Sequence, residues 1–251
     1  VRKRFLIVHN PNAGSGRRWL MHRVVNALEH DGAKVAVKDA VCEDSGRAAA
    51  SEAARTGDYD AIVAAGGDGT IRSVAAGLRG THVPVGLIPL GTGNVMANEI
   101  GLARQPDAIA ACLLDGVAMP VVGGVFDETP FFLMAGAGLD AEAVARLNPW
   151  LKRRIGKLAY VWPVVRAIFR PAPTIQAVLD GTAHDARWVV VCNSGTYAGG
   201  FRLSPDSHLF APALTAALCT ARDPFSLILN ILMIGAGQAR RAPHMHFVRF
   251  R

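Results

Sequence analysis

The chain has 251 residues, 51% of them apolar, ample for a real core in one large domain or two modest ones. Lysine and arginine number 27 against 20 acidic side chains, a formal net charge of +7. The excess is uneven: residues 1–118 carry 13 basic and 12 acidic side chains, and residues 119–251 carry 14 and 8. The positive field therefore sits in the second half, where it attracts anions such as phospholipid surfaces, nucleic acid or nucleotide phosphates without naming one. Cys42, Cys112, Cys192 and Cys219 form no CxxC pair and no ligand-like group with histidine, so they are read as buried reduced thiols. His244 and His246 are placed to share a strand face, with nothing near to complete a metal site. The longest strongly apolar run, Phe225 to Ile234, is interrupted by Asn230 and is too short to span a bilayer. No secretory leader is visible, and a soluble or surface-bound protein is expected.

Phe5-Leu6-Ile7-Val8 reads as a buried strand ending in the turn-forming string His9 to Gly16. A helix follows from about Arg17 to His30, with Leu20, Val24 and Leu28 on one face. The rhythm repeats: strand Ala33 to Val37, helix Glu43 to Thr56, strand Ala61 to Ala65, helix Ile71 to Leu78, strand Val83 to Ile88, then a helix containing Val95, Met96 and Ile100. Four strands each followed by a helix predict a mostly parallel sheet covered on both faces.

After Asp115-Gly116 the pattern changes, placing a domain boundary near residue 118. Val117 to Val125, Phe131 to Ala135, Thr174 to Leu179 and Trp188 to Cys192 read as strands. Asp127 to Pro130 and Asp180-Gly181 supply turn chemistry, so residues 119–251 are expected to be mainly β. The exception is Leu147 to Phe169, where apolar residues recur at helical spacing among Trp150, Tyr160, Trp162, Lys152, Arg153, Arg154, Lys157 and Arg166. Such a segment fits either an ordinary amphipathic helix or one lying on an anionic membrane.

Two glycine-rich turns carry the functional signal. Gly66-Gly67-Asp68-Gly69-Thr70 follows one apolar strand and opens a helix, and Pro89-Leu90-Gly91-Thr92-Gly93-Asn94 follows the next. Glycines let a phosphate approach the main chain, and the first N–H groups of a helix can face an anion. Both turns fall at the carboxyl ends of strands, where open α/β sheets bind ligands, and Thr70 is placed as a helix N-cap. Neither is a standard dinucleotide fingerprint or a GxxxxGK[ST] loop. Asp68 would repel a phosphate unless magnesium bridges the two or the carboxylate takes a proton from an attacking hydroxyl, and both roles belong to phosphoryl transfer.

Asn10-Pro11-Asn12-Ala13-Gly14 and the two glycine turns, in this order and spacing, resemble the catalytic domain shared by diacylglycerol kinases, sphingosine kinases and bacterial lipid kinases. The similarity extends through Gly136-Ala137-Gly138-Leu139-Asp140, Gly156 to Tyr160, and Asn193 to Pro205 with its Tyr197-Ala198-Gly199-Gly200 turn. The resemblance implies a phosphofructokinase-like nucleotide-binding domain over residues 1–118, a lipid-substrate β-sandwich over 119–251, and ATP with Mg2+ between them. It implies ATP contacts from Asn10, Pro11, Gly14, Gly66, Gly67, Gly69, Thr70, Gly91, Thr92, Gly93 and Asn94. Asp68 would be the catalytic and metal-positioning carboxylate.

The resemblance further implies a lipid substrate and peripheral contact with the cytoplasmic face of the inner membrane, through residues 147–169, and gives no oligomeric state. A sphingoid base is an alternative acceptor, and a nucleotide-dependent membrane-surface module is the non-enzyme alternative. A nucleic-acid partner is not expected, because no recognised module accompanies the basic charge. Two features depart from the family. Its Asp-Asp-Gly turn is replaced by Phe210-Ala211-Pro212, and its C-terminal Asp-Gly-Glu strand is absent before Arg251. Either the polypeptide continues past Arg251, or the sandwich has diverged.

Overall fold

The first strand shows why the N-terminal sheet is parallel. In β1 (Arg4–His9) Phe5, Leu6, Ile7 and Val8 are all buried, which requires apolar cover on both faces. The computed structural model describes residues 1–13, 17–126, 128–147, 159–171, 173–197 and 200–251, and the chain divides into two units, Val1–Pro120 and Val121–Arg251.

In the first unit β1 is followed by α1 (Arg18–His30), β2 (Lys34–Asp39), α2 (Glu43–Thr56), β3 (Ala61–Gly66), α3 (Asp68–Gly77), β4 (Val85–Pro89), α4 (Val95–Glu99) and α5 (Pro106–Asp115). The strands pair in the order β2-β1-β3-β4, all parallel, with Phe5 opposite Ala61 and Ile62 opposite Val85. The edge strand β2 carries exposed Lys34, Lys38 and Asp39, charges that discourage pairing with another chain. Leu20, Val24 and Leu28 of α1 pack with Ile109 and Leu113 of α5 over Phe5, Ile7, Val63 and Ile88. Val24 and Leu28 are wholly removed from water, worth about 1.5–3 kcal/mol each. The Ala-rich face of α2 and the Ile71–Val74 face of α3 are likewise buried, and these helices contact β1 and β3.

Several expectations need correction here. The helix expected from Ile71 begins at Asp68 with Gly67 as its N-cap, so Thr70 lies inside the first turn and is not the cap. The helix opened by the second glycine turn is five residues long, and α5, begun by Pro106, was not foreseen. Cys42 and Cys112 are exposed, whereas Cys192 and Cys219 are buried; all four are free thiols.

The second unit is built on an antiparallel sheet, β14-β13-β10-β7, comprising Met245–Phe250, Leu214–Cys219, Trp188–Cys192 and Met134–Ala137. Alternation along β10 and β13 divides its two faces. Val189, Ala216 and Leu218 meet the hairpin of β8 (Ile175–Leu179) and β9 (Thr182–Ala186). Trp188, Val190, Cys192, Ala217 and Cys219 meet the helices α7 (Val161–Ile168) and α8 (Pro224–Gly235). Short pairs β5–β6 (Gly124–Phe126, Thr129–Phe131) and β11–β12 (Thr196–Tyr197, Phe201–Arg202) complete the strands, and α6 (Leu139–Ala145) follows β7. This is the sandwich-like architecture expected, with more helix than expected on one face.

The β8–β9 hairpin turns at Asp180 and Gly181, both at positive φ (46° and 82°), the geometry that Asp-Gly favours. The strand expected over Val117–Val125 is confined to Gly124–Phe126; Pro120 lacks an N–H for a ladder, and Gly123 offers no side chain to pack. Of the helix expected over Leu147–Phe169, residues 148–158 lie outside the described residues, and the described part is α7. His246 is on β14 but His244 precedes it, its carbonyl accepting the Thr220 N–H.

Candidate functional site

Strands β1, β3 and β4 end side by side, and their carboxyl ends carry the motif residues. The Asn10 N–H donates to the Ala65 carbonyl at 3.0 Å, and the Leu90 and Gly91 N–H groups donate to the Gly66 carbonyl at 2.9 and 3.3 Å. These bonds extend the parallel ladder into the turns. Asn10 is then fixed by its own side chain: Oδ1 accepts the Asn12 N–H at 2.9 Å, while Nδ2 donates to Thr70 Oγ1 at 3.4 Å. Thr70 is buried, so its hydroxyl couples β1 to α3.

The two glycine turns touch. A Cβ on Gly91 would stand 2.6 Å from the Gly67 Cα and 2.9 Å from Asn94 Oδ1, distances no side chain occupies. Asn94 is buried with φ at +48°, a left-handed conformation that asparagine tolerates better than most residues. Its Nδ2 donates to the carbonyls of Gly91 (2.8 Å) and Pro89 (3.3 Å), closing the second turn on itself. Among the described residues, its buried Oδ1 has no hydrogen-bond partner.

Asp68 joins the turns electrostatically. Its Oδ2 accepts the Val95 N–H at 3.1 Å and its Oδ1 the Met96 N–H at 3.0 Å, the first two residues of α4. A carboxylate at a helix N-terminus satisfies donors that have no intrahelical partner and meets the positive end of the helix dipole. This is a structural partner for Asp68 that the sequence reading lacked. The same reading also missed Arg17, whose guanidinium donates to the Gly91 carbonyl at 2.9 Å. The signal was present: a cation directly follows the turn-forming string His9 to Gly16 in the sequence.

Of the residues expected to bind nucleotide, Asn10, Gly66, Gly67, Thr70, Gly91 and Asn94 are interlocked as above. Gly69, Thr92 and Gly93 belong to the same turns, and Pro11 follows Asn10. Among the described residues, apart from its chain neighbours and its own helical turn, nothing lies within 4 Å of where a Gly69 Cβ would stand, and Thr92 is exposed. Gly14 lies outside the described residues.

These residues fit a polyphosphate. Gly69, in the first turn of the ten-residue α3, leaves open space, and close-approaching backbone replaces side chains between Gly67 and Gly91. Among the described residues no three His, Cys, Asp or Glu side chains form a metal-ligand set. Asp68 is a single carboxylate, which suits an ion that takes one or two carboxylates and completes its shell with phosphate oxygens and water, as magnesium does. Each carboxylate oxygen retains a lone pair beyond the N–H it accepts.

In the second unit, burial acts on a carboxyl. Asp140, in the first turn of α6, is half-buried, and burial pushes it up to about 6 although the Ala141 N–H donates to its Oδ1 at 2.8 Å. A Cβ on Gly136 would fall on this carboxyl group, so the glycine of β7 makes room for it.

Residues 4–124 match the model of the diacylglycerol kinase catalytic domain, and residues 134–251 that of the YegS C-terminal NAD kinase β-sandwich-like domain. A diacylglycerol kinase of Bacillus subtilis is 32% identical over 82% of this chain and 70% of its own length. A diacylglycerol kinase of Mycobacterium tuberculosis is 29% identical over 79% of this chain and 67% of its own. An uncharacterized Synechocystis protein is 30% identical over 62% of this chain, and the match spans only 38% of that relative. Among solved structures, a diacylglycerol kinase from Bacillus anthracis strain Sterne superposes with a TM-score of 0.74 at 19% identity, covering all of this chain and 84% of that one.

Proposed function

The chain belongs to the diacylglycerol kinase and YegS-like lipid kinase family, and from that premise we propose that it transfers the γ-phosphate of ATP to the hydroxyl of diacylglycerol or a similar lipid. The observation that carries this reading is the convergence of Asn10, Gly66–Thr70 and Gly91–Asn94 at the ends of three parallel strands, with Asp68 held between the two turns.

The roles follow from chemistry. Gly66, Gly67, Gly69, Gly91 and Gly93 offer backbone to the phosphates without steric obstruction, while Asn10, Pro11, Thr70, Thr92 and Asn94 border them. Arg17, anchored on Gly91, adds positive charge at their edge. Asp68 orients the metal-bound nucleotide or receives the proton of the acceptor hydroxyl. Magnesium, when bound, supplies neutralisation of phosphate charge. Little covalent work is asked of the protein, and catalysis is positioning with electrostatic stabilisation.

A water-insoluble acceptor requires access to a bilayer, so peripheral association with the cytoplasmic surface of the inner membrane belongs to the proposal, with residues 147–169 as one docking element. No helix among the described residues is long and apolar enough to cross a membrane. A nucleotide-dependent surface module without turnover is the second reading, favoured by Phe210-Ala211-Pro212 where the family places an Asp-Asp-Gly turn.

The test is incubation with labelled ATP, magnesium and vesicles containing diacylglycerol, followed by identification of labelled lipid. Label on diacylglycerol supports the kinase reading. ATP binding without label on any lipid overturns it in favour of the binding module, and label on an added sphingoid base reassigns the acceptor.

A further inference from the structure

Arg187 stands just before β10, in the run Ala186 to Val190 that is buried throughout. An arginine only 8% exposed is a costly residue there, because a charge removed from water has to be paired or hydrogen-bonded. Its guanidinium donates to the carbonyls of Arg222 at 2.5 Å, Arg170 at 2.7 Å and Ile168 at 3.1 Å. Among the described residues, no carboxylate forms an ion pair with Arg187 or with Arg222. Carbonyl dipoles hold a cation in place without cancelling its charge.

Those bonds also fix where the charge stands. Ile168 and Arg170 lie at the end of α7 and Arg222 in the turn before α8, so Arg187 ties the two helix ends together beside a cavity of about 520 Å³. Arg187 lines that cavity, and so do Arg170 and Arg222, both exposed. The volume is that of a small-molecule pocket and is ample for more than an inorganic ion.

The charges around the cavity select the ligand. Asp185 is the carboxylate among its lining residues. Asp223, next to Arg222, does not line it and accepts the Ser226 N–H as the cap of α8. Glu142, 3.3 Å from Arg170, is shared with Arg146 at the same distance. Three guanidinium groups against the Asp185 carboxylate leave an excess of two positive charges. A phosphomonoester carries nearly two negative charges at neutral pH on three acceptor oxygens, whereas a phosphodiester carries one. Guanidinium forks grip such oxygens in pairs.

We propose that this cavity, built wholly from the second unit, is a binding site for a soluble phosphomonoester, an organic phosphate whose dianion is held by Arg170, Arg187 and Arg222. A ligand held by these three arginines bridges the end of α7 and the start of α8, so its binding stabilises the fold. The site takes nothing from the glycine turns, and it stands independently of the lipid-kinase reading.

The experiment is isothermal titration of the full chain with glycerol 3-phosphate at constant ionic strength. Glycerophosphoglycerol, a phosphodiester like a lipid headgroup, is the comparison. The monoester is expected to bind at least about tenfold more tightly than the diester and to raise the melting temperature. Arg170→Ala and Arg222→Ala should each weaken binding roughly three- to tenfold, and Asp185→Asn should tighten it about twofold or more. Arg187 is left intact because its carbonyl bonds join the helix ends, and melting without ligand checks the fold of each variant. Gly69→Ala, in the first glycine turn, should leave the affinity unchanged. Absence of binding by wild type overturns the proposal, as does wild-type affinity in the Arg170/Arg222 double variant. Loss of binding in Gly69→Ala would move the phosphate to the nucleotide turns, and equal affinity for the diester would give the cavity to a lipid headgroup; either result also overturns it.

Discussion

The Asp68 carboxylate accepts the Met96 N–H at 3.0 Å through Oδ1 and the Val95 N–H at 3.1 Å through Oδ2, so a residue of the first glycine turn holds the helix that follows the second. Asp68→Asn keeps one acceptor and turns an amide NH2 toward the other N–H. The lost bond and lost charge should cost about 1–2 kcal/mol, a fall in melting temperature of roughly 2–8 °C for a chain of this size. Turnover should fall on the order of 10²–10⁴-fold, far beyond what that destabilisation causes. Both are read on one preparation, by calorimetry and by lipid phosphorylation; near-normal turnover leaves Asp68 as a tether between turns.

Gly91 and Gly69 make opposite predictions although both stand in glycine turns. Gly91→Ala drives a methyl to 2.6 Å from the Gly67 backbone, and the strain should destabilise the unit by roughly 1–3 kcal/mol. Gly69→Ala enters open space on a helix, where alanine is favoured over glycine by up to about 1 kcal/mol. Its stability should hold or rise while affinity for a fluorescent ATP analogue falls, because the methyl stands where phosphate would approach. Unchanged affinity in this variant would move the phosphates away from Gly69.

Arg17→Ala removes an exposed cation that donates to the Gly91 carbonyl. Loss of a single charge-assisted contact at a solvated site should raise the KM for ATP about 3- to 10-fold with little change in kcat. The difference between wild type and variant should shrink in high salt. A fall in kcat at unchanged KM would instead give Arg17 a role in the transition state.

The sheet of the first unit was legible because β1, β3 and β4 are short apolar runs closed by glycine or proline turns, and each α1 and α2 face repeats at 3.6 residues. The site was legible for the same reason: the glycines mark strand ends. What the pattern could not carry was which atoms meet across two turns, hence the unforeseen Asp68–α4 tie and Arg17–Gly91 bond. In the second unit, β13 reads Leu-Thr-Ala-Ala-Leu-Cys, rich in alanines that favour helix. Pairing with β10 and β14 on either side overrides that preference. Helix α8 is apolar nearly all round, so no amphipathic period announces it. Its real signature is local: Asp223 accepts the Ser226 N–H at 2.8 Å as N-cap, and Pro224 opens the helix.

Asp140 predicts a pH dependence of opposite sign to the usual carboxylate. Burial raises its folded value from 3.8 to about 6, so between these values the folded chain holds more protons than the unfolded one. Its contribution to stability is therefore fully present below about pH 4 and is lost as pH rises through about 6. The shift corresponds to at most about 3 kcal/mol, and to less because the group is only half-buried. Asp60 and Asp223, held below the usual carboxylate range chiefly by the Lys3 and Ser226 N–H groups, act the other way and only in acid. Asp140→Asn preserves the acceptor for the Ala141 N–H and abolishes the titration. Urea melts of the two proteins should coincide near pH 4 and separate above pH 6, with the variant more stable by about 1–2 kcal/mol at pH 8. A gap that does not change with pH would mean that the Asp140 carboxyl titrates alike in the folded and unfolded chains, and that Gly136 makes room for it without raising its proton affinity.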